Sequence, residues 1–394
     1  MEESKKTLKG NINNSVRDRI NQAKYTNGRL HLEDTSLTLE QLRLFAPTIK
    51  NIKEVRLNIS LSSTDKKIAI PASIGPHIIS LTLSGFYNNL NLDLFSSLIN
   101  LKSLILRDGI TLTTLDGLRN FEQLTHLEIL NGTGLTGVKD LTHCPLLREL
   151  TINYASELKD FNPINSCVNL VILNLSYTNN KNLTFLTNCV NINTLSLINC
   201  DLVNSLVGLE NCIALENITF SGLPCLDDIS SLAYCINIRE LFIHDCEILE
   251  DVTGLAGIVE LDYLQLSKCP RLSNLTPLAS CFKLTKIDMH TCPSIMDVYF
   301  LSKCPNLEII SFMNCSSLSN LDGIQSCKKL KRLIITNCTI LDLSPLSLCT
   351  SLTVLRYNKN SLQNLDTLTS TSLQELYLDE SKIVSLVGLD KCPN

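Results

Sequence analysis

The chain has 394 residues, 44% apolar, 5% aromatic and without tryptophan, and carries a formal net charge of -5. That balance excludes the basic footprint of a nucleic-acid binder or of a protein held on an anionic membrane, and no apolar run approaches the ~18 residues of a membrane span. So little aromatic bulk over such a length points to a leucine-filled array more than to one large globule.

At the N-terminus, "MEESKKTLKGNINNSVRDRI" has charges but no following apolar stretch of the kind a secretory signal needs. With the odd count of 17 cysteines, this sets the expectation of a cytoplasmic, reducing environment. Asn-x-Ser/Thr triplets such as Asn182-Leu183-Thr184 then read as by-products of composition, not glycan acceptors. Residues 1–48 are expected to cap the array, with a helix over "SLTLEQLRLFA" at 36–46 that Ser36 caps and Pro47 ends.

From residue 49 to 394 the sequence repeats. The pattern Leu-x-x-Leu-x-Leu starts at Ile78, Leu101, Leu124, Leu147, Leu170, Ile192, Leu215, Ile238, Leu261, Leu284, Leu307, Leu330, Leu352 and Leu373, in steps of 23 broken by 22 twice and 21 once. An irregular copy starts at Ile52, and "GRLHL" at 28–32 reads as an earlier one. Within a repeat, residues 310–313 alternate as a short strand, with Ile310 and Phe312 inward and Ser311 and Met313 outward. Apolar residues then recur every third position, as in Cys269, Leu272, Leu275, Leu278 and Cys281, which suits 3₁₀-like turns and leaves no room for a crossover α-helix. Before the fourth of these stands Pro163, Pro277 or Pro345 in some repeats and Gly117, Gly208, Gly254, Gly323 or Gly388 in others, marking where a short turn begins.

Over about residues 50 to 394 this pattern resembles the leucine-rich repeat family. Strings such as "LSNLTPLASC" and "LDLSPLSLC" are similar to the short repeats of bacterial internalins and of leucine-rich phosphatase regulators, and "IPASIGPHIISLTLSGFYNNL" at 70–90 is similar to an Ile-Pro-x-Ser type of repeat. The resemblance implies an α/β solenoid, a right-handed superhelix of about fifteen coils with a concave parallel β-sheet and short 3₁₀ or turn segments on the convex side. "DKCPN" at 390–394 opens like "SKCPN" at 302–306, so the solenoid is expected to continue or to lack its C-terminal cap.

The cysteines fall at two repeat positions. Cys144, Cys167, Cys189, Cys212, Cys235, Cys281, Cys304, Cys327, Cys349 and Cys392 lie three residues before a strand pattern or where the next would begin; Cys200, Cys246, Cys269, Cys292, Cys315 and Cys338 lie eight after its first residue; Cys225 alone fits neither. Leu98, Phe121 and Ile258 replace the first set, and Gly109, Gly132, Ala155, Thr178 and Asn360 the second, the family's Asn/Cys ladder position. Such exchange, with no Cys-x-x-Cys pair anywhere, reads as a reduced core ladder and not as metal ligands or disulfides.

No His-Glu-x-x-His, P-loop or Gly-x-Ser-x-Gly string is present, so no catalytic residue, metal or cofactor is expected and the chain reads as a non-enzyme. Function is expected instead on the concave face, at Glu240, Phe242, His244, Asp245, Tyr263, Gln265, Lys268, Lys286, Asp288 and His290, an aromatic and charged cluster among small polar residues. His244, Asp288 and His290 read as solvent-facing polar residues. Charge on that face turns from Arg107 against Asp108, Glu128, Glu149, Glu240 and Asp245 to Lys268, Lys286, Arg332, Arg356 and Lys359 against Asp288 alone, which would orient an elongated partner. The expected partner is another protein, with no nucleic acid and no membrane, and the expected role is that of a scaffold or adaptor. The family resemblance adds two alternatives, a phosphatase regulatory subunit and a ubiquitin-ligase substrate receptor, although the first fifty residues have no F-box-like Leu-Pro opening.

Overall fold

The computed structural model describes residues 14–23, 28–65, 68–370 and 372–392. Parts of the expected N-terminal cap, at 1–13 and 24–27, and the last two residues of the "DKCPN" string lie outside them. The chain forms two compact units, one up to Asn179 and one from Asn180.

In the first unit residues 14–23 are helical and bury Val16, Ile20 and Ala23. Strand β1 (Arg29–Thr38) leads into helix α1 (Leu39–Ile49). Strands β2 (Glu54–Ser62), β3 (Ile78–Tyr87), β4 (Ser103–Leu106), β5 (Gly109–Ile110), β6 (His126–Ile129), β7 (Glu149–Asn153) and β8 (Ile172–Ser176) follow. All pair in parallel with their neighbours, β1 on β2 included, so "GRLHL" does belong to the sheet.

The helix corrects two expectations. Ser36 is not its cap: it pairs with Asn58 in the β1–β2 ladder. Thr38 is the N-cap instead, its hydroxyl accepting from the Gln41 amide while the Gln41 side chain accepts from the Thr38 amide, so that two orphan donors are satisfied reciprocally. Nor does Pro47 end the helix. It lies in the last turn, and with Ala46 and Ile49 buried the helix runs on to Ile49.

The second unit carries β9 (Thr194–Ile198), β10 (Asn217–Ser221), β11 (Glu240–His244), β12 (Tyr263–Ser267), β13 (Lys286–His290), β14 (Ile309–Met313), β15 (Arg332–Thr336), β16 (Val354–Asn358) and β17 (Glu375–Tyr377). Each pairs in parallel with the next, residue for residue. In one coil Leu261, Leu264, Leu266, Cys269, Leu272, Leu275, Leu278 and Cys281 are all buried. A buried leucine is worth about 1.5–3 kcal/mol, and each coil collects that only when another covers it.

Two backbone devices close the coils. The residue after each of the strands β9 to β16 is left-handed, as at Asp245 (φ 57), Lys268 (φ 51) and Thr291 (φ 55). This aims its amide at the following strand: Asp245 N donates to Ser267 O at 2.9 Å and Lys268 N to His290 O at 2.8 Å. On the opposite side, Asp228, Asp251, Asn274 and Asp342 each accept the amide two residues on, at 2.7, 2.7, 3.1 and 2.8 Å, and so start the short 3₁₀ turns.

The Pro and Gly that the repeat pattern groups together act differently. Pro163, Pro277 and Pro345 sit inside the first turn of a 3₁₀ segment, where their fixed φ is native. Gly323 precedes its segment at φ 103, a left-handed conformation closed to proline. At Gly208 φ is 112, and an added Cβ would stand 2.1 Å from Leu183 O. Gly208→Ala is therefore expected to destabilise the protein by more than about 1 kcal/mol, seen as a lower urea midpoint at unchanged slope; an unchanged midpoint would refute the packing described.

Candidate functional site

Alternation along the strands sends Leu241, Ile243, Leu264, Leu266, Ile287 and Met289 into the core. Their neighbours on β11–β13 form three columns on the solvent face of the sheet: Glu240–Tyr263–Lys286, Phe242–Gln265–Asp288 and His244–Ser267–His290. Four of these residues interlock. The Phe242 ring meets Tyr263 edge-on at 5.0 Å between centroids, and Lys286 Nζ lies 3.9 Å from the centre of the Tyr263 ring. Lys286 Nζ is also 3.0 Å from Asp288 Oδ2, to which Tyr263 Oη donates at 2.7 Å.

Electrostatics follow from these contacts. Partial burial, reinforced by the bond to Asp288, holds the Tyr263 hydroxyl above its ordinary pKa. Desolvation pulls Lys286 down, but Tyr263 and Asp288 outweigh it, so the ammonium is held above its usual range. The result is an aromatic, hydrogen-bonded platform whose one cation and one anion cancel.

The other expected residues are placed less tightly. Glu240 is exposed, and Gln265 lies in the column between Phe242 and Asp288. Asp245 and Lys268, on the left-handed residues at the strand ends, line a groove of about 500 Å³ with Glu247, Arg271 and Thr291. His244 and His290 are separated by the buried Ser267, and His290 Nε2 lies 3.5 Å from Ser311 Oγ. Ser311 stands in the outward column as expected but is only 3% exposed. Sequence gives no reason to single out Ser267 or Ser311, since nothing in a small hydroxyl residue tells a covered position from an open one.

No protein-family model and no curated protein matches the sequence. Among solved structures, a leucine-rich-repeat protein of Leptospira interrogans aligns with a TM-score of 0.64 at 17% identity, over 88% of this chain and 90% of that one. The Toll–Spätzle complex of Drosophila gives 0.66 at 16% identity, over 90% of this chain and 49% of that one. The functional domain of InlJ from Listeria monocytogenes, which includes a cysteine ladder, gives 0.54 at 19% identity, over 82% and 71%. The fold is the leucine-rich repeat.

Leucine-rich-repeat packing accounts for the thiols. The register cysteines from Cys144 to Cys349 are buried; Cys225 is exposed and Cys392 half-buried. At the first position the thiol donates back one coil, Cys281 to Leu255 O at 3.5 Å, Cys304 to Leu278 O at 3.6 Å and Cys327 to Leu301 O at 3.7 Å. At the ladder position Cys269 and Cys292 donate to Ser267 O and His290 O, both at 3.4 Å. Asn360 fills the same site with an amide that donates to Ile335 O at 3.0 Å and accepts from Cys338 N at 2.8 Å. Burial pushes Cys189, Cys281 and Cys349 up to about 11, and Cys144, Cys212, Cys235, Cys246 and Cys304 up to about 12. Thiolate, the reactive form, is thus suppressed there at neutral pH. Among the described residues no group of three or more His, Cys, Asp or Glu is arranged to hold a metal.

In the folded, reduced protein at pH 8, Ellman's reagent is expected to titrate Cys225 rapidly and Cys392 next, and to reach all 17 thiols only in denaturant. Rapid reaction of most thiols before unfolding, or a shortfall after it, would contradict this core.

Proposed function

We propose that the chain is a non-catalytic scaffold or adaptor that binds another protein through the solvent face of its sheet, centred on β11–β13. The interlocked Phe242, Tyr263, Lys286 and Asp288 carry this reading. The neighbouring strands β9 and β10 put Thr194, Ser196, Asn217, Thr219 and Ser221 at the equivalent positions, so the coil itself does not require aromatic rings there. Rings already held against one another lose little freedom on binding, which is what a contact centre rewards. The Toll structure, which shares the fold, is a complex with Spätzle and so gives a precedent for a protein ligand. The same reading puts the chain in the reducing cytoplasm, supported by its odd number of cysteines. Among the described residues no helix is long and apolar enough to cross a membrane.

The test is affinity capture from a lysate of the source cells with the wild type and with the triple variant Phe242→Ala, Lys286→Glu, Asp288→Lys, which reverses the ion pair without dissolving it. The proteins held by the wild type are expected to be lost by at least about 30-fold, the equivalent of ~2 kcal/mol at a contact centre, at an unchanged melting temperature. Undiminished capture by the folded variant would overturn the assignment. Phosphatase or cullin-type ligase subunits among the lost proteins would specify the role as regulatory subunit or substrate receptor.

A further inference from the structure

Beyond β13 the solvent face changes character. Strands β14–β16 present Ile309, Ile334 and Val354 where β9 and β10 have hydroxyl and amide side chains, and Met313 in the column that begins with Ile198 and Ser221. Two arginines stand in this apolar floor. Arg332 is opposite Val354, and Ile334 is opposite Arg356. The cations are therefore diagonal neighbours, roughly 8 Å apart at Cα level for two residues of ~3.3 Å rise and one strand step of ~4.8 Å.

What sets them apart is the lack of an acceptor. Three nearby lysines are paired: Lys286 with Asp288, Lys331 with Glu308 and Lys359 with Glu380. Among the described residues neither Arg332 nor Arg356 has an ion pair, and the buried Nε of Arg356 has no hydrogen-bond partner. The Arg356 guanidinium is stacked on the Tyr377 ring at 4.7 Å. Glu375, diagonal to Arg356 across the ladder, is engaged by the Tyr377 hydroxyl at 2.8 Å. A guanidinium fixed on an aromatic face is set up to grip a carboxylate with two parallel bonds.

We propose that β14–β16 form the carboxylate-recognising half of the partner-binding face. They take an acidic side chain, flanked by apolar residues, from an extended segment of the partner protein. Charge complementarity selects this occupant, since the patch holds two arginines that lack an ion pair among the described residues, set over apolar side chains. It also gives the segment a direction. Glu240 and Asp245, at the β11 end, repel a second acidic residue, and five strand steps of ~4.8 Å, about 24 Å, match some seven residues of extended chain. This inference rests on the scaffold reading above.

The probe is a fluorescein-labelled ten-residue Gly/Ser peptide with Leu-Glu-Leu-Glu at its centre, compared by anisotropy with versions that carry Gln or phosphoserine in place of Glu. The Glu peptide is expected to bind at least tenfold more tightly than the Gln peptide and to weaken as salt rises. Arg332→Gln, an exposed change that spares the fold, should remove most of that preference; Arg356→Lys, which keeps the charge but not the planar fork, should reduce it several-fold. Equal binding of Glu and Gln peptides, no saturable binding of either, or full preference in both variants would overturn the proposal, and tighter binding of phosphoserine would overturn its carboxylate assignment. Natural-partner capture that survives Arg332→Gln with Arg356→Lys but is lost in the β11–β13 triple variant would sink this inference and leave the scaffold reading standing.

Discussion

Backbone hydrogen bonds between parallel strands fix the step from coil to coil at ~4.8 Å, and the rest of the structure follows from that distance. Each coil must bring its chain back to the same place, so every side chain stands beside its own copies in neighbouring coils. Where the step shortens from 23 to 22 residues, between Leu330 and Leu352, the strands still pair one to one, Arg332 on Val354 and Ile335 on Tyr357. The missing residue is taken out of the turns. Strand length and register are kept at the expense of the connecting segments because a slip of one would turn the whole apolar set outward.

The same distance explains the thiols. The carbonyl of Leu278 accepts the Cys281 amide at 2.9 Å within its own turn and the Cys304 thiol at 3.6 Å from the next coil. Leu301 O does the same with the Cys304 amide and the Cys327 thiol. A cysteine at this column is therefore a hydrophobe that also makes a weak inter-coil hydrogen bond. Leu98, Phe121 and Ile258 keep the first of those properties and give up the second. Apolar substitution thus coexists with a polar contact, and the order of the cysteines reflects packing, with chemistry held off by burial.

Legibility in the sequence tracked how local each determinant is. The inward columns could be read from leucine spacing alone, and alternation then named the residues of the solvent face. Ser36 against Thr38 could not be decided locally, because what removes Ser36 from capping is its pairing with Asn58, twenty-two residues on. Pro277 and Gly323 occupy one repeat position but reach it through opposite backbone hands, which no side-chain pattern reveals. Charge was read least well. Lys359 counted as free positive charge in the sequence, yet Glu380 neutralises it, and Asp288, weighed there against the five cations together, is bound to Lys286. The Lys286 pairing lies within one strand and the Lys359 pairing links neighbouring coils; of the five cations, Lys268, Arg332 and Arg356 have no ion pair among the described residues.

Because the coil repeats, the chain carries its own control for what folding demands. One inward column reads Leu241, Leu264, Ile287, Ile310, Leu333, Leu355 and Leu376. The outward column one residue earlier reads Glu240, Tyr263, Lys286, Ile309, Arg332, Val354 and Glu375 on the same strands. The first hardly varies, since one volume satisfies the same hole each time. The second never settles, so the coil imposes no residue there. Solvent alone rewards polarity at such positions, and Tyr263 and Ile309 run against that preference, while Val354 is buried there. On the proposed scaffold reading, the missing constraint is a partner surface that varies along the stack, apolar against one coil and charged against the next.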